Sequence, residues 1–273
     1  MAHLRDIKHL VIDMDGVLYV GNDPLPGLPG FFGFLREHGI GYRLATNNSG
    51  STPQQYAAKL NQMGAGVRPE EIITSGTATA RWLAQRHPTG ARVHVFGEDS
   101  LRTAMAEAGF ELADEDVVAV VASIDWGVTY EKIKRASLLI RGGAQFVATN
   151  LDPTRPTEEG LVPGTGALIA AIATGAETQP IAIGKPEPTM FEQAMAEMGA
   201  RPETTATLGD RIDTDMTGGV RAGLRTILVL SGSTGRAEAE AYGPDLIFDD
   251  IAGLMQAWRV ALAPGPQDGQ QGR

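Results

Sequence analysis

Short runs rich in β-branched and apolar residues alternate with longer helical stretches along most of this 273-residue chain. Strands that follow one another through helices lie parallel, and a parallel sheet needs cover on both faces, so the alternation restricts the fold to the α/β class. The first run, residues 7–13, ends in a carboxylate. A helical stretch over 28–38 stops at Gly39, a C-terminal capping signal, and a second strand covers 42–46. Thr52, Pro53 and Gln55 form a capping box that opens a helix ending near Gly64. A second series begins near Gly76, with a helix to His87, strand 92–96, a helix to Ala108, strand 117–122, helix 129–140 and strand 145–148. This middle block reads as an α/β unit of its own. After a Pro-rich loop over 150–163 come a helix from Gly164 to about Thr174, a linker over 175–180 and an apolar run over 181–183. Helix 189–198, strand 204–208, a helix ending near Gly223 and strand 226–230 follow. The last stretch, 263–273, is rich in Gly, Pro and Gln and reads as a disordered tail.

Charge narrows the partners. With 23 Lys and Arg against 33 Asp and Glu the net charge is −10, which argues against a general nucleic-acid binder, since phosphate backbones need clustered cations. An anionic substrate therefore needs a locally positive site. The absence of cysteine excludes disulfides, thiolate nucleophiles and cysteine zinc sites. The longest apolar run, 167–173, is too short to span a bilayer, and the polar N-terminus lacks the apolar core of a signal peptide, so no membrane partner and a cytoplasmic location are expected.

In doubly wound sheets the ligand lies beyond the carboxyl ends of the strands. Four polar clusters stand there: Asp13-Met14-Asp15-Gly16, Thr46-Asn47-Asn48-Ser49, Gly184-Lys185-Pro186, and the run from Gly209-Asp210-Arg211 to Asp213 and Asp215. Each has a bland reading alone. Asp15-Gly16 makes a good hairpin turn, the Asn and Ser run another turn, Lys185 a solvated loop lysine, and the last acidic run a favourable charge at a helix N-terminus. Four such clusters in order, each at a strand end, read instead as one site. Asp13, Asp15 and Asp210 converging at a sheet edge would repel one another without a cation, and all-oxygen ligation suits Mg²⁺. A carboxylate is a competent nucleophile toward phosphorus, and Lys185, Thr46 and the Asn47 region can meet the equatorial oxygens of a phosphoryl group.

Asp13-x-Asp15-Gly16, Thr46, Lys185 and Gly209-Asp210 resemble the four motifs of the haloacid dehalogenase-like (HAD) hydrolases. Ala45-Thr46-Asn47-Asn48-Ser49, Thr149-Asn150-Leu151-Asp152, Pro163-Gly164-Thr165-Gly166 and Gly184-Lys185-Pro186 narrow the resemblance to the NagD-like, or p-nitrophenylphosphatase, branch. It implies a Rossmann-like doubly wound core over 1–75 and 179–262, interrupted by an α/β cap over 76–178 that governs specificity, with hinges near Ser75-Gly76-Thr77 and 175–180. It further implies that Asp13 is nucleophile and metal ligand, and Asp15 general acid and base with its main-chain carbonyl on the metal. Thr46, Asn47 and Lys185 would bind phosphate, Asp210 would be the third metal ligand, and Asp215 would support the site from behind, with Asp213 facing solvent. An acid at position 15 sets the chain apart from relatives that resemble dehalogenases, and from P-type ATPases, which read Asp-Lys-Thr-Gly. The implied activity is Mg²⁺-dependent hydrolysis of a small phosphorylated metabolite, such as a nucleotide or sugar phosphate, with p-nitrophenyl phosphate as artificial substrate. A homodimer through the cap is a further expectation.

Other templates fit poorly. Ser231-Gly232-Ser233-Thr234-Gly235 is a near miss to Gly-x-Ser-x-Gly and reads as a loop. Gly164-Thr165-Gly166 lacks the third glycine of a dinucleotide fingerprint and follows no strand. The competing class is a catalytically retired relative that only senses a phosphometabolite, although every catalytic position is filled. Arg155, facing a second anionic group, and Trp126, stacking on a ring, are candidate specificity residues, each with an ordinary surface or packing reading beside it.

Overall fold

A computed structural model describes residues 4–157 and 159–263, so all of the expected tail beyond Ala263 lies outside the described residues. In chain order the principal strands are β1 His9–Ile12, β2 Gly41–Thr46, β3 Ile72–Thr74, β4 Arg92–Phe96, β5 Glu111–Leu112, β6 Ala119–Ala122, β7 Gln145–Ala148, β8 Ile181–Ala182, β9 Thr205–Gly209, β10 Arg225–Val229 and β11 Leu246–Phe248. They form two parallel sheets, one of six strands in the order β11-β10-β9-β1-β2-β3 and one of five in the order β8-β7-β6-β4-β5. The architecture is the α/β fold expected of a doubly wound core with an inserted α/β unit.

In the larger sheet the chain winds from β1 toward β3, passes through the smaller sheet, and returns to β9 on the other side of β1. Strand order therefore reverses between β1 and β9, the crevice where such sheets bind ligands. Register sets what meets there. Ile12 lies opposite both Leu208 and Leu44, so Asp13, the residues after Leu44 and those after Leu208 leave the sheet at one level.

Alternate residues of β1 serve opposite faces, Leu10 and Ile12 one apolar layer and Val11 the next. The first layer is closed by helices Leu28–Glu37 and Ile251–Leu262, with Phe34 and Trp258 rings 5.9 Å apart. The second, holding Val11, Ala45, Ile73 and Phe191, continues without a break into Val93, Val121 and Val147 of the smaller sheet. The third lies beyond that sheet, under helices Tyr130–Arg141 and Thr165–Ala176.

Two readings of the sequence need correcting. β8 pairs with Val147 and Ala148, so the chain leaves the cap's sheet after Ala182 and not at 179; two residues carry too little pattern to show which sheet they will join. The loop over 150–163 contains an antiparallel ribbon, Thr154–Thr157 with Gly160–Pro163, because a two-stranded ribbon has outward edges where proline's missing N–H interrupts no ladder. At the expected hinge positions, Ser75 and Gly76 are buried in the first turn of helix Ser75–Ala84, whose Thr74 cap accepts from Thr77, and Gly175 belongs to the helix ending at Ala176. No helix among the described residues is long and apolar enough to cross a membrane.

Trp258 is fully buried at the far end of the chain, in an element that the sequence reading left unassigned. Replacing it with alanine should cost about 3–5 kcal/mol in urea unfolding. A loss below about 1 kcal/mol would mean that the final helix is not part of the core.

Candidate active site

Asp13 and Asp15 follow β1 on either side of Met14, whose side chain is fully buried. The Asp-Gly turn is real: Gly16 N–H donates to the Tyr19 carbonyl, and Leu18 N–H to that of Met14. It is also more than a turn. Gly16 has φ +81°, and a Cβ there would lie 2.6 Å from Asp210 Oδ2, so any other residue would be strained and would strike the neighbouring carboxylate.

Lys185 sits at the centre. Its buried ammonium donates to Asp13 Oδ1 at 2.6 Å, to Asp215 Oδ1 at 2.6 Å and to the Ala45 carbonyl at 2.9 Å. Burial opposes the charge on Lys185, but Asp13 and Asp215 outweigh it and hold its pKa above the ordinary lysine value. Asp210 completes the cluster, and one carboxylate oxygen from each of Asp13, Asp210 and Asp215 lies within 4.8 Å of the others. Burial pushes all three carboxyls up to about 6; Lys185 works against the rise, while Asp210 adds to it at Asp13 and Asp215 adds to it at Asp210.

Asp210 Oδ2 accepts from the Ser233 N–H at 2.6 Å, whereas its Oδ1 is buried with no hydrogen-bond partner among the described residues. A buried carboxylate oxygen left open beside two more carboxylates is what a hard divalent cation satisfies, and the all-oxygen donor set fits Mg²⁺. The Ser231–Gly235 loop thus belongs to the site: Ser231 donates to the Gly16 carbonyl, and a Cβ at Gly232 would lie 2.0 Å from Asp210 Oδ2. A near miss to a nucleophile motif carried no signal of that role. Asp213 pairs with Arg211 at 2.7 Å on the exposed side, as expected.

Thr46 is buried at the end of β2, and its hydroxyl accepts from Asn48 N–H at 3.1 Å. The Asn47 amide nitrogen beside it donates to the Lys185 carbonyl at 2.8 Å and to Asp152 at 3.1 Å, which leaves the Asn47 main chain to face the cavity. Asn150 in turn donates to the Asn47 carbonyl at 2.8 Å. Asn150 and Asp152 follow β7, so these bonds tie the smaller sheet to the loop after β2, a pairing invisible without the fold. Burial raises the Asp152 carboxyl above its usual range, against the Asn47 hydrogen bond. The glycines of Gly164-Thr165-Gly166 have a packing role: a Cβ on Gly164 would lie 2.4 Å from the Asp152 carbonyl, and one on Gly166 2.4 Å from that of Leu151.

Asp13, Asp15, Thr46, Asn47, Lys185 and Asp210 line one cavity of about 360 Å³, walled on the cap side by Ile124, Trp126 and Arg155, with Asp215 behind the lining. Asp15 opens into it; protein packed around Asp15 raises its carboxyl, and Lys59 and Arg155 pull it back.

The family model for haloacid dehalogenase-like hydrolases matches residues 10–111, and one described as HAD-hydrolase-like matches 182–254. An acid sugar phosphatase of Staphylococcus aureus is 40% identical over 230 residues, 84% of this chain and 88% of its own length. Among solved structures, a 4-nitrophenylphosphatase from Thermotoga maritima superposes with a TM-score of 0.89 at 34% identity, over 93% of this chain and 98% of that one. A glycerol phosphate phosphatase from Mycobacterium tuberculosis, in complex with magnesium, gives 0.86 at 32% identity, over 97% and 82%.

Removing Lys185 leaves Asp13 and Asp215 buried without their shared cation. Lys185→Met should cost about 3–5 kcal/mol at pH 7.5 in EDTA. The folded-state carboxyl values near 6 lie above the ordinary 3.8, so the folded protein takes up protons before the unfolded chain as pH falls, and the repulsion fades. Urea unfolding at pH 5.5 should therefore show a smaller deficit; a larger one would contradict this account.

Proposed function

The chain belongs to the haloacid dehalogenase-like hydrolases and is a phosphatase of their NagD-like branch, and from that premise we propose that it hydrolyses small phosphomonoesters with Mg²⁺ through an aspartyl-phosphate at Asp13. The observation that carries the reading is the buried ammonium of Lys185 fixing one oxygen of Asp13 beside the partnerless Oδ1 of Asp210, in a single cavity.

With one oxygen of Asp13 held by Lys185, the other is oriented to attack phosphorus. Asp13 is ionised at neutral pH despite its raised pKa of about 6. Asp15, raised by the packing around it and open to the cavity, gives its proton to the departing alkoxide and then takes one from the water that hydrolyses the acyl phosphate. The Thr46 hydroxyl, already an acceptor for Asn48 N–H, donates its own hydrogen to a phosphate oxygen. Asn47 offers the phosphate its main chain, because its amide holds Lys185 and Asp152 in place. Asp13 and Asp210, with the main-chain carbonyl of Asp15, would hold the Mg²⁺, and Asp215 would stand behind them on Lys185. When bound, the cation supplies positive charge against the phosphoryl oxygens and relieves repulsion among the carboxylates.

Phosphate release from p-nitrophenyl phosphate should require Mg²⁺, stop in EDTA, and fall by roughly 10³-fold or more in Asp13→Asn with the circular dichroism spectrum unchanged. Near-normal turnover by that folded variant would remove Asp13 as nucleophile. Protons compete for the same oxygens, so Mg²⁺ affinity measured by calorimetry should weaken as pH falls through about 6. An affinity constant from pH 7.5 to 5 would place the cation elsewhere.

A further inference from the structure

Three cationic side chains line the cavity, Lys185, Arg211 and Arg155, and they are not equivalent. Lys185 is saturated by Asp13, Asp215 and the Ala45 carbonyl. Arg211 is bonded twice to Asp213, at 3.0 and 2.7 Å. The guanidinium of Arg155, on the antiparallel ribbon of the cap, makes no hydrogen bond or ion pair among the described residues. Its guanidinium instead lies 4.9 Å from the centre of the Trp126 ring, within range of a cation–π contact that leaves the planar donor edge open.

The platform under that guanidinium is built. Trp126 is 58% exposed, which is unusual for so large an apolar side chain, yet its backbone is anchored on every side. The Trp126 N–H donates to Glu98 at 2.7 Å, and Gly127 N–H donates to Asp125 at 2.9 Å. Asp125 is itself buried and held by the Lys132 ammonium at 2.8 Å. A fixed loop thus presents an indole to the cavity, and the indole carries a cation with uncommitted donors. Arg155 and Trp126 wall the same cavity into which Asp15 opens, which puts the guanidinium within the space that the alcohol portion of a substrate would occupy.

We propose that Arg155 is the specificity-determining residue of this phosphatase, its guanidinium on Trp126 binding a second anionic group, carboxylate or phosphate, on the alcohol portion of the substrate. The inference rests on the phosphomonoesterase reading above and adds the class of leaving group. An open guanidinium pairs with a carboxylate or phosphate through two parallel hydrogen bonds, which a neutral hydroxyl cannot match.

Two matched substrate pairs test it: 3-phosphoglycerate against glycerol 3-phosphate, and fructose 1,6-bisphosphate against fructose 1-phosphate. The wild type should favour the anionic member of at least one pair by about tenfold or more in kcat/KM, and the pair that responds tells carboxylate from phosphate. Arg155→Met should lower that ratio about tenfold, chiefly through KM, and Arg155→Lys should restore part of it. The substitution removes a side chain with no hydrogen-bond partner among the described residues, so folding is not at stake. A wild type that cleaves p-nitrophenyl phosphate but prefers neither anionic member, or a ratio unmoved in Arg155→Met, overturns the assignment while the phosphomonoesterase reading stands. A wild type that releases no nitrophenol with Mg²⁺ overturns both.

Discussion

One buried ammonium holds the working end of this molecule together. Lys185 bonds to the residue after β1, to the Ala45 carbonyl near the end of β2 and to the acid behind β9, so three strands and the segment returning from the cap meet on a single charge. The three carboxylates around it are more negative charge than one lysine can balance, and burial makes the excess worse. The site is thus built short of one cation, with an open oxygen on Asp210. Binding and charge balance are one requirement here.

The loops around this centre are shaped by how closely the carboxylates must approach the backbone. Gly16 and Gly232 press on Asp210 from two directions, and Asn47 braces the main chain of Lys185 while reaching Asp152 in the cap loop. Together with the apolar layer shared by both sheets, these bonds pack the inserted unit against the core. The antiparallel ribbon carrying Arg155 is different: Leu161 is 73% exposed there, and Gly160 and Thr157 are exposed too.

Much of this was legible in the sequence because the signals were local. The β4 and β7 ranges, and the helix Thr189–Met198, follow from apolar period and capping residues alone. Asp13, Thr46, Lys185 and Asp210 stand out because each closes a strand, and the fold brings all four to one edge. What stayed hidden depends on contacts distant in the chain. Nothing around Ser231 shows that its loop cradles Asp210, and nothing in Asn47 shows that its amide will face Lys185 and Asp152. Nor can Ile181 and Ala182 show that they will extend the cap's sheet. The final helix was missed for another reason, since a run of mixed Ala, Leu and Gly has no marker of burial until Trp258 meets Phe34.

The pairing of β1 with β9 also sets an order of events at the ribosome. β1 is the strand beside the crevice, yet its second neighbour is made about 190 residues later, after the whole inserted unit; at roughly 5–20 residues per second that is a wait of about 10–40 s. For that time one edge of an almost wholly apolar strand has no native partner. The smaller sheet can complete itself meanwhile, because all five of its strands are contiguous in the chain. In a nascent chain of this kind the inserted sheet has all its strands before the core sheet has its own, and the exposed edge of β1 is the place where misassembly would begin.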